Sequence, residues 1–314
     1  MNIQWYPGHM TKTRRMMQET ISLVDIVIEL VDARIPYSSK NPDLDVLAKN
    51  KHRIILLNKS DLADPAATAV WEEYFVAKGF RVIQMNAVRG KGMGEVTDTA
   101  RDLMKEKIEK LRARGRINVP TRSMIVGIPN VGKSTFINKY VGKVTAKTGD
   151  KPGVTRGKQW IKLKKDFELL DTPGILWPKF EDQEVGMKLA FTGAINDDIL
   201  DAQTLAVKFI DHMMVRNSNC IKERYQIEFD SIDEPYDVLV QIAKARGFKL
   251  KGDEPDLERA AKILLDEFRG GKLGRLTLEL PEDIVEMHQE MEEKKREKVQ
   301  ANRERKRTFK GKKN

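Results

Sequence analysis

The segment Gly127-Ile-Pro-Asn-Val-Gly-Lys-Ser134 constrains the fold more than any other part of this 314-residue chain. It satisfies the pattern G-x-x-x-x-G-K-[ST], in which glycines let backbone N–H groups curve around phosphate oxygens. The pattern predicts that Lys133 reaches the β- and γ-phosphates of a nucleotide and that the Ser134 hydroxyl binds Mg²⁺. A strand is predicted at 122–126 and a helix from the motif to residue 140, which is the context that a phosphate-binding loop requires. The alternative interpretation is an ordinary glycine-rich turn.

A second motif, Asp171-Thr-Pro-Gly174, directly follows the predicted apolar strand 167–170. A carboxylate at a strand end is suited to support a nucleotide-bound Mg²⁺, directly or through water. The sequence therefore predicts this role for Asp171, and a γ-phosphate contact for the Gly174 N–H. In isolation the tetrapeptide is an ordinary Pro-Gly turn, but after a phosphate-binding loop it becomes specific.

A third motif, Asn58-Lys-Ser-Asp61, follows the predicted strand 53–57 and has the form N-K-x-D. The Asp61 carboxylate can accept two hydrogen bonds from N1–H and the amine of guanine, which adenine cannot offer. Asn58 can bind the N7 edge and a neighbouring loop, and the Lys59 stem can lie over the base. Alone, the tetrapeptide is a common strand-end turn. The full set predicted to contact a guanine nucleotide is Asn58, Lys59, Asp61, Asn86, Ala87, Asn130, Val131, Gly132, Lys133, Ser134, Thr135 and Gly174.

Short apolar strands alternate with helices through the first part of the chain, which predicts an α/β fold with a mostly parallel sheet covered on both faces. Each polar motif follows a strand, and ligands of such sheets bind at the carboxyl ends of the strands. After Pro178 the pattern becomes mainly helical, with residues 221–229 predicted as a short strand instead. We therefore expect a nucleotide-binding domain at 1–178, a mainly α-helical domain at 179–293 and a disordered tail at 294–314.

The net charge of +10 is concentrated in that tail. Residues 294–314 contain eleven Lys or Arg and two Glu, so the remainder of the chain is close to neutral. A basic arm of this kind attracts phosphate backbones by counterion release, although a tail that only confers solubility is the alternative. One cysteine, no long apolar run and no apolar leader predict an intracellular, cytoplasmic protein without a membrane partner.

The three motifs together resemble those of the translation-factor-related GTPases, with one difference in order. Here N-K-x-D and Asn86-Ala87 precede the phosphate-binding loop, which looks like a circularly permuted P-loop GTPase. More narrowly, Trp5-Tyr-Pro-Gly-His9-Met10, Asp32-Ala-Arg-Ile-Pro36 and Ser38-Ser-Lys-Asn-Pro42 resemble the RbgA (YlqF) family of bacterial ribosome-assembly GTPases. The resemblance implies an enzyme that converts GTP to GDP and phosphate and acts late in assembly of the large (50S) ribosomal subunit. The implied partners are the 50S precursor and its 23S rRNA, with no DNA expected.

The segment Lys151-Pro-Gly-Val-Thr155 is predicted to be switch I, in which Thr155 completes the Mg²⁺ shell; a simple turn is the alternative. Ile175 stands where Ras-type enzymes use Gln to orient water, so hydrolysis requires another device. The resemblance implies that His9 acts in hydrolysis, or else packs or contacts RNA. Asn130 matches the K⁺-binding position of potassium-dependent GTPases, or else stabilises its loop. The predicted catalytic residues are thus His9, Lys133, Thr155 and Gly174, and the predicted metal ligands are Ser134, Thr155 and Asp171 for Mg²⁺ and Asn130 for K⁺.

Two other functions remain compatible with the sequence. One is a GTPase that serves translation or tRNA modification, with the same chemistry on another partner. The other is a nucleotide-sensing RNA-binding module that does not hydrolyse GTP. The motif order and the segment from Trp5 to Met10 favour ribosome assembly over the first alternative, and multiple-turnover hydrolysis distinguishes it from the second.

Overall fold

The computed structural model describes residues 10–116, 119–142, 159–164, 167–172, 183–195 and 201–286. Within the described residues the strands are β1 (Ile26–Asp32), β2 (His52–Asn58), β3 (Arg81–Gln84), β4 (Thr121–Gly127), β5 (Gln159–Lys164) and β6 (Phe167–Asp171). They form one sheet in the order β3-β2-β1-β4-β6-β5. Every neighbouring pair is parallel except β5 and β6, which are antiparallel, so the predicted mostly parallel sheet is confirmed.

Strand β1 lies in the middle of the sheet, and all seven of its residues are buried. Its sequence Ile-Val-Ile-Glu-Leu-Val-Asp is apolar on both faces, as expected of a parallel strand covered by helices above and below. Glu29 is the charged exception within the run. Its carboxylate accepts hydrogen bonds from the Asn41 N–H at 2.7 Å and the Arg53 guanidinium at 2.6 Å, which offset the cost of its burial.

Helices cover both faces of the sheet. In this part of the chain they are α1 (Met10–Ile21), α2 (Asp43–Leu47), α3 (Pro65–Ala77), α4 (Met93–Ala113) and α5 (Lys133–Val141). On one face, α4 and α5 pack against the side chains of Ile28 and Leu30. On the other, α1 packs against Val27 and α3 packs against Val31. The predicted arrangement of a covered sheet is thus confirmed.

The later part of the chain is helical. It contains α6 (Gln183–Phe191), α7 (Ala202–Arg216), α8 (Asn219–Tyr225), α9 (Pro235–Ala245) and α10 (Leu257–Arg269), of which α7, α9 and α10 pack on one another. The predicted strand at 221–229 is wrong, because α8 occupies most of it. Ile221 and Tyr225 are four residues apart, so they bury on one side of a helix. The alternation that suggests a strand comes from buried Ile227 and Phe229, which lie beyond the helix end.

After α10 the chain returns to the first half of the molecule. We call residues 275–284 the strap. Its backbone is bonded to both the segment after β1 and the segment after β2, because Leu278 N–H donates to Arg34 O and Leu276 N–H donates to Leu62 O. Ile284 is buried among Val31, Leu57 and Trp71. The strap therefore attaches the helical region to the segments that follow β1 and β2. The predicted boundary near residue 178 and the tail 294–314 lie outside the described residues.

Candidate nucleotide site

The register of the sheet brings the predicted motifs to one edge. Asp32 at the end of β1 is level with Asn58 at the end of β2. On the other side of β1, Gly127 at the end of β4 is level with Leu30. Asp171 at the end of β6 is level with Ile125 of β4. Because these four strands are parallel, the loops that follow them emerge on the same side of the sheet.

One side-chain amide connects the loops that follow β2, β3 and β4. Asn58 Nδ2 donates to Val131 O at 2.7 Å, and Asn58 Oδ1 accepts from Ala87 N–H at 2.9 Å. Gly132 has a φ of 98°, and a Cβ placed on it would lie 2.4 Å from Asn58 Nδ2. The glycine is thus required both by its backbone conformation and by the close approach of the amide. The N-K-x-D motif, the P-loop and Asn86-Ala87 consequently form one connected unit.

Lys133 and Asp171 form a buried ion pair in this unit. Lys133 Nζ lies 2.5 Å from Asp171 Oδ1, and each side chain is at most 5% exposed. Burial lowers the pKa of Lys133, and the neighbouring Asp171 carboxylate opposes that shift. Thr172 Oγ1 donates to Ile125 O at 2.7 Å, which ties the start of the D-T-P-G motif to the strand that carries the P-loop. The ammonium group is therefore held at the base of the P-loop by its own counter-ion.

The residues at this edge fit the Mg²⁺ that the P-loop implies. Ser134 is in the first turn of α5, and Asp171 at the end of β6 contacts the preceding residue, Lys133. Hydroxyl and carboxylate oxygens are the hard ligands that Mg²⁺ prefers. A Cβ placed on Gly127 would lie 2.8 Å from Val131 Cγ1, so the loop folds back on itself too closely for a side chain at this position. Among the described residues no group of three or more His, Cys, Asp or Glu could hold a metal.

Lys59 of the N-K-x-D motif forms an ion pair with Asp32. Its Nζ lies 3.0 Å from Asp32 Oδ2, and the same carboxylate accepts from Arg34 Nε and Nη2 at 2.9 and 2.8 Å. Although burial opposes ionisation, these two cations hold the pKa of Asp32 well below its usual range. Arg34 in turn lies 5.0 Å from the ring of Phe268 and donates to Arg269 O at 3.3 Å. Asp32 and Arg34 are not among the predicted site residues; their position at and just beyond the end of a buried strand was the available signal.

Asn130 connects the P-loop to the helical region. It has a positive φ of 58°, and its Nδ2 donates to Gly193 O, just after α6, at 2.7 Å.

Asn86 stabilises the turn after β3, since its Oδ1 accepts from Arg89 N–H at 2.9 Å. Asp61 is exposed beside the unit formed by Asn58. Three predicted site residues, His9, Thr155 and Gly174, lie outside the described residues.

A sheet whose carboxyl edge joins a P-loop, a strand-end aspartate and an N-K-x-D loop defines a P-loop GTPase, an enzyme that hydrolyses GTP. Residues 122–245 match the family model described as 50S ribosome-binding GTPase. The chain is 49% identical to Ribosome biogenesis GTPase A of Bacillus cereus over 93% of its own length and 98% of that protein. It is 34% identical to the Ribosome biogenesis GTPase A of Thermotoga maritima over 92% of its length and 98% of that protein. The chain belongs to the ribosome biogenesis GTPase A family.

A solved structure supports the same assignment. The crystal structure of GNP-bound YlqF from T. maritima matches with a TM-score of 0.59 and 31% sequence identity, over 86% of this chain and 99% of that one. Within the part of the chain that the structure describes, no helix has the length and apolar character needed to span a membrane.

Proposed function

We propose that this GTPase acts late in assembly of the large (50S) ribosomal subunit, binding the precursor particle and its 23S rRNA with GTP and leaving after hydrolysis. The names of its relatives and of the matched family model support the ribosomal partner. The structural observation that carries the proposal is the direct bonding between the nucleotide loops and the helical region, through Asn130 to Gly193 and Arg34 to Arg269. A change at the γ-phosphate can thereby alter a surface distant from it.

Each motif residue has a proposed task in this reaction. Asp61 selects guanine, and Lys59, held by Asp32, lies against the base. Lys133 moves its ammonium group from Asp171 to the β- and γ-phosphates, while the P-loop N–H groups of Val131, Gly132 and Thr135 bind phosphate oxygens. Ser134, Asp171 and Thr155 would hold Mg²⁺, which would neutralise charge on the phosphate oxygens. Gly174 contacts the γ-phosphate through its N–H.

The domain is best interpreted as a circularly permuted GTPase. N-K-x-D comes from β2 and the P-loop from β4, yet Asn58 bonds directly to Val131. Helix α4 makes the connection that this order requires, since it follows β3 at one side of the sheet and precedes β4 near the middle. The permutation changes the order of the loops along the chain and leaves their arrangement in space intact.

Hydrolysis is proposed to be slow in the free enzyme and faster on the particle. Ile175 cannot hydrogen-bond a water molecule, so the device that Ras-type enzymes use is absent from this sequence position. We propose that His9 supplies the missing group when the N-terminal segment docks on the particle. We also propose that K⁺ binds at Asn130, where its positive charge would replace an arginine finger. The enzyme would act in the cytoplasm, where bacterial ribosomes are assembled.

Sedimentation with purified particles tests this proposal. The full-length protein should co-sediment with 50S precursors in a non-hydrolysable GTP analogue and be released in GDP, with small-subunit particles as the control. The precursors should also raise multiple-turnover GTP hydrolysis, and His9→Ala should lower that stimulated rate by at least about tenfold with GTP affinity unchanged. Equal co-sedimentation in analogue and GDP, or equal binding to both subunits, would contradict the proposed cycle.

A further inference from the structure

A pocket of about 890 Å³ lies at the amino ends of β2 and β3, whereas the nucleotide loops lie at the carboxyl ends of the strands. We call it the basal pocket. It is roughly 20 Å from the P-loop edge, the length of a seven-residue strand. Its charged lining consists of six cations and one carboxylate: Lys40, Lys49, Lys51, Arg53, Lys78, Arg81 and Asp45. Outside the tail the chain is nearly neutral, so this is a local accumulation of positive charge.

Three of the cations are bound into the fold. Lys40 Nζ lies 2.6 Å from Asp45 Oδ1, and Arg53 contacts both Asp45 and the buried Glu29. Lys51 Nζ donates to Val24 O at 2.7 Å. These three side chains already have partners within the protein, and they form part of the pocket wall.

The other three cations are available to a ligand. Lys49, Lys78 and Arg81 are exposed, and none has a carboxylate within ion-pair distance among the described residues. They come from two separate parts of the chain, since Lys49 follows α2, whereas Lys78 and Arg81 lie at the junction of α3 and β3. Their convergence on one pocket is therefore a product of the fold, unlike a run of charge along one helix.

Aromatic rings lie between the cations. The ring of Phe80 is 4.6 Å from the Arg53 guanidinium carbon and 5.5 Å from Lys40 Nζ, and the ring of Tyr74 is 4.6 Å from Lys78 Nζ. Both rings are half-buried. Cations that alternate with aromatic faces are typical of surfaces that bind nucleic acid, because phosphates pair with the charges and bases stack on the rings.

We propose that the basal pocket binds the phosphate backbone of RNA in the ribosomal particle. The proposal rests on the proposed function and adds to it a contact surface on the GTPase domain, separate from the helical region and the tail. Because the pocket and the P-loop occupy opposite edges of the sheet, RNA and GTP can bind at the same time. The sheet lies between the two sites and separates them.

The test compares two full-length variants with the same loss of charge. The pocket variant carries Lys49→Gln, Lys78→Gln and Arg81→Gln, and the matched control carries Lys105→Gln, Arg112→Gln and Arg114→Gln, which are exposed residues in or just after α4. The probe is protein-free 23S rRNA, with binding measured between about 50 and 200 mM salt. The pocket variant should bind with a log–log salt slope shallower by about 2–3, at roughly 0.7–0.9 per phosphate contact. The control should change the slope by less than about 1. GTP affinity should be unchanged in both variants, which also verifies that they fold.

Three results would overturn the proposal in distinguishable ways. Equal slopes for the pocket variant and the wild type, or equal losses in pocket variant and control, would show that the pocket has no specific RNA contact. Weaker binding to intact particles with unchanged binding to protein-free rRNA would assign the pocket to an acidic protein instead. A wild-type protein that binds neither rRNA nor particles would refute the proposed function itself.

Discussion

Single side chains determine whether the nucleotide loops of this protein are in place. The Asn58 amide donates to one loop and accepts from another, so its loss would leave both Val131 O and Ala87 N–H without that partner. Loss of either residue of the Lys133–Asp171 pair would likewise leave a buried group without its partner, since both side chains are almost fully buried. Breaking a buried charged contact costs more than the contact contributes, because the remaining partner stays desolvated. These residues are thus sensitive positions for both binding and stability.

Lys133→Ala should weaken GTP and GDP binding by at least about a hundredfold, or ~3 kcal/mol, because the phosphates lose a charge-assisted partner. Titration of a fluorescent guanine nucleotide measures the change. Lys139→Ala is the matched control, since Lys139 is an exposed lysine of the same helix. Wild-type affinity in Lys133→Ala would show that the P-loop assignment is mistaken.

Asn130→Ala should abolish a preference for K⁺ over Na⁺ in the rate of GTP hydrolysis. The amide nitrogen of Asn130 is committed to Gly193 O. The side-chain oxygen is the atom that can bind a cation, and alanine removes it. Turnover is measured in matched K⁺ and Na⁺ buffers for the wild type and the variant. A variant that retains the same preference would leave Asn130 as a residue that only joins the P-loop to the helical region.

The sequence predicted the motif residues of the site but gave no role to the residues that support them. The P-loop, N-K-x-D and D-T-P-G motifs are local patterns whose chemistry can be inferred from adjacent residues. Asp32 and Arg34 depend on partners far along the chain, as the 235-residue separation between Arg34 and Arg269 shows. No local pattern encodes such a contact, and only the folded arrangement assigns it.

At the scale of elements, one carboxylate on α10 connects three helices of the helical region. Glu267 accepts from Arg224 Nε at 2.8 Å and Nη2 at 2.6 Å, from Tyr225 Oη at 2.9 Å and from Arg246 Nη2 at 2.6 Å. Its partners lie in α8 and immediately after α9. Three helices are consequently connected through a single side chain that is only 7% exposed.

Glu267→Gln should lower the free energy of unfolding by about 2–3 kcal/mol at neutral pH. Hydrogen bonding from Arg224 and Tyr225, with the charges of Arg246 and Arg224, lowers the pKa of Glu267 to about 2. A carboxyl whose pKa is lower in the folded state stabilises the protein above its unfolded pKa. That contribution is lost as the pH falls from about 4.5 towards 2. Urea unfolding at several pH values should show the difference between wild type and variant shrinking over this range.

Asp266→Asn is the control for that experiment. Asp266 is the neighbouring acid on α10, 69% exposed, with one ion pair at 3.8 Å to Arg269. Its loss should change stability by less than about 0.5 kcal/mol at any pH. An equal effect of the two substitutions would mean that Glu267 does not stabilise the contact between the three helices.

The elements themselves were predictable to different degrees. The sheet followed from apolar runs that end in polar motifs, because a buried parallel strand has few compatible sequences. The strand predicted at 221–229 failed, since Ile227 and Phe229 alternate with polar residues without pairing to any strand. Burial of Ile221 and Tyr225 on one side set the outcome, and this depends on the tertiary packing of α8.

At the scale of the whole molecule, the strap makes the sheet and the helical region one body. Arg275 donates to Ser60 O and Ala63 O, each at 2.9 Å, on either side of Asp61 and Leu62. The Glu279 carboxylate accepts from the Tyr37 and Ser38 N–H groups, and the Trp71 indole donates to Glu279 O. The sequence could not indicate this return, because residues 270–280 have no helical or strand periodicity. Their partners are about 200 residues earlier.

Arg275→Ala should weaken guanine-nucleotide affinity by about three- to tenfold, because the loop that carries Asp61 loses two charge-assisted hydrogen bonds and must be ordered by the nucleotide instead. The effect should be on affinity for both GTP and GDP, with secondary structure unchanged by circular dichroism. Lys272→Ala, an exposed position three residues earlier, should leave affinity unaltered. Identical affinities in both variants would show that the strap does not support the guanine loop.

The strap also has a consequence for how the protein is made. A nascent chain emerges with its amino-terminal residues first, so β2 and the loop after it leave the exit tunnel long before residue 275. Until the strap follows, Ser60 O, Ala63 O and the Trp71 indole lack the partners that they have in the finished fold. Until the strap has left the tunnel, the loop that carries the guanine motif therefore lacks the two hydrogen bonds from Arg275.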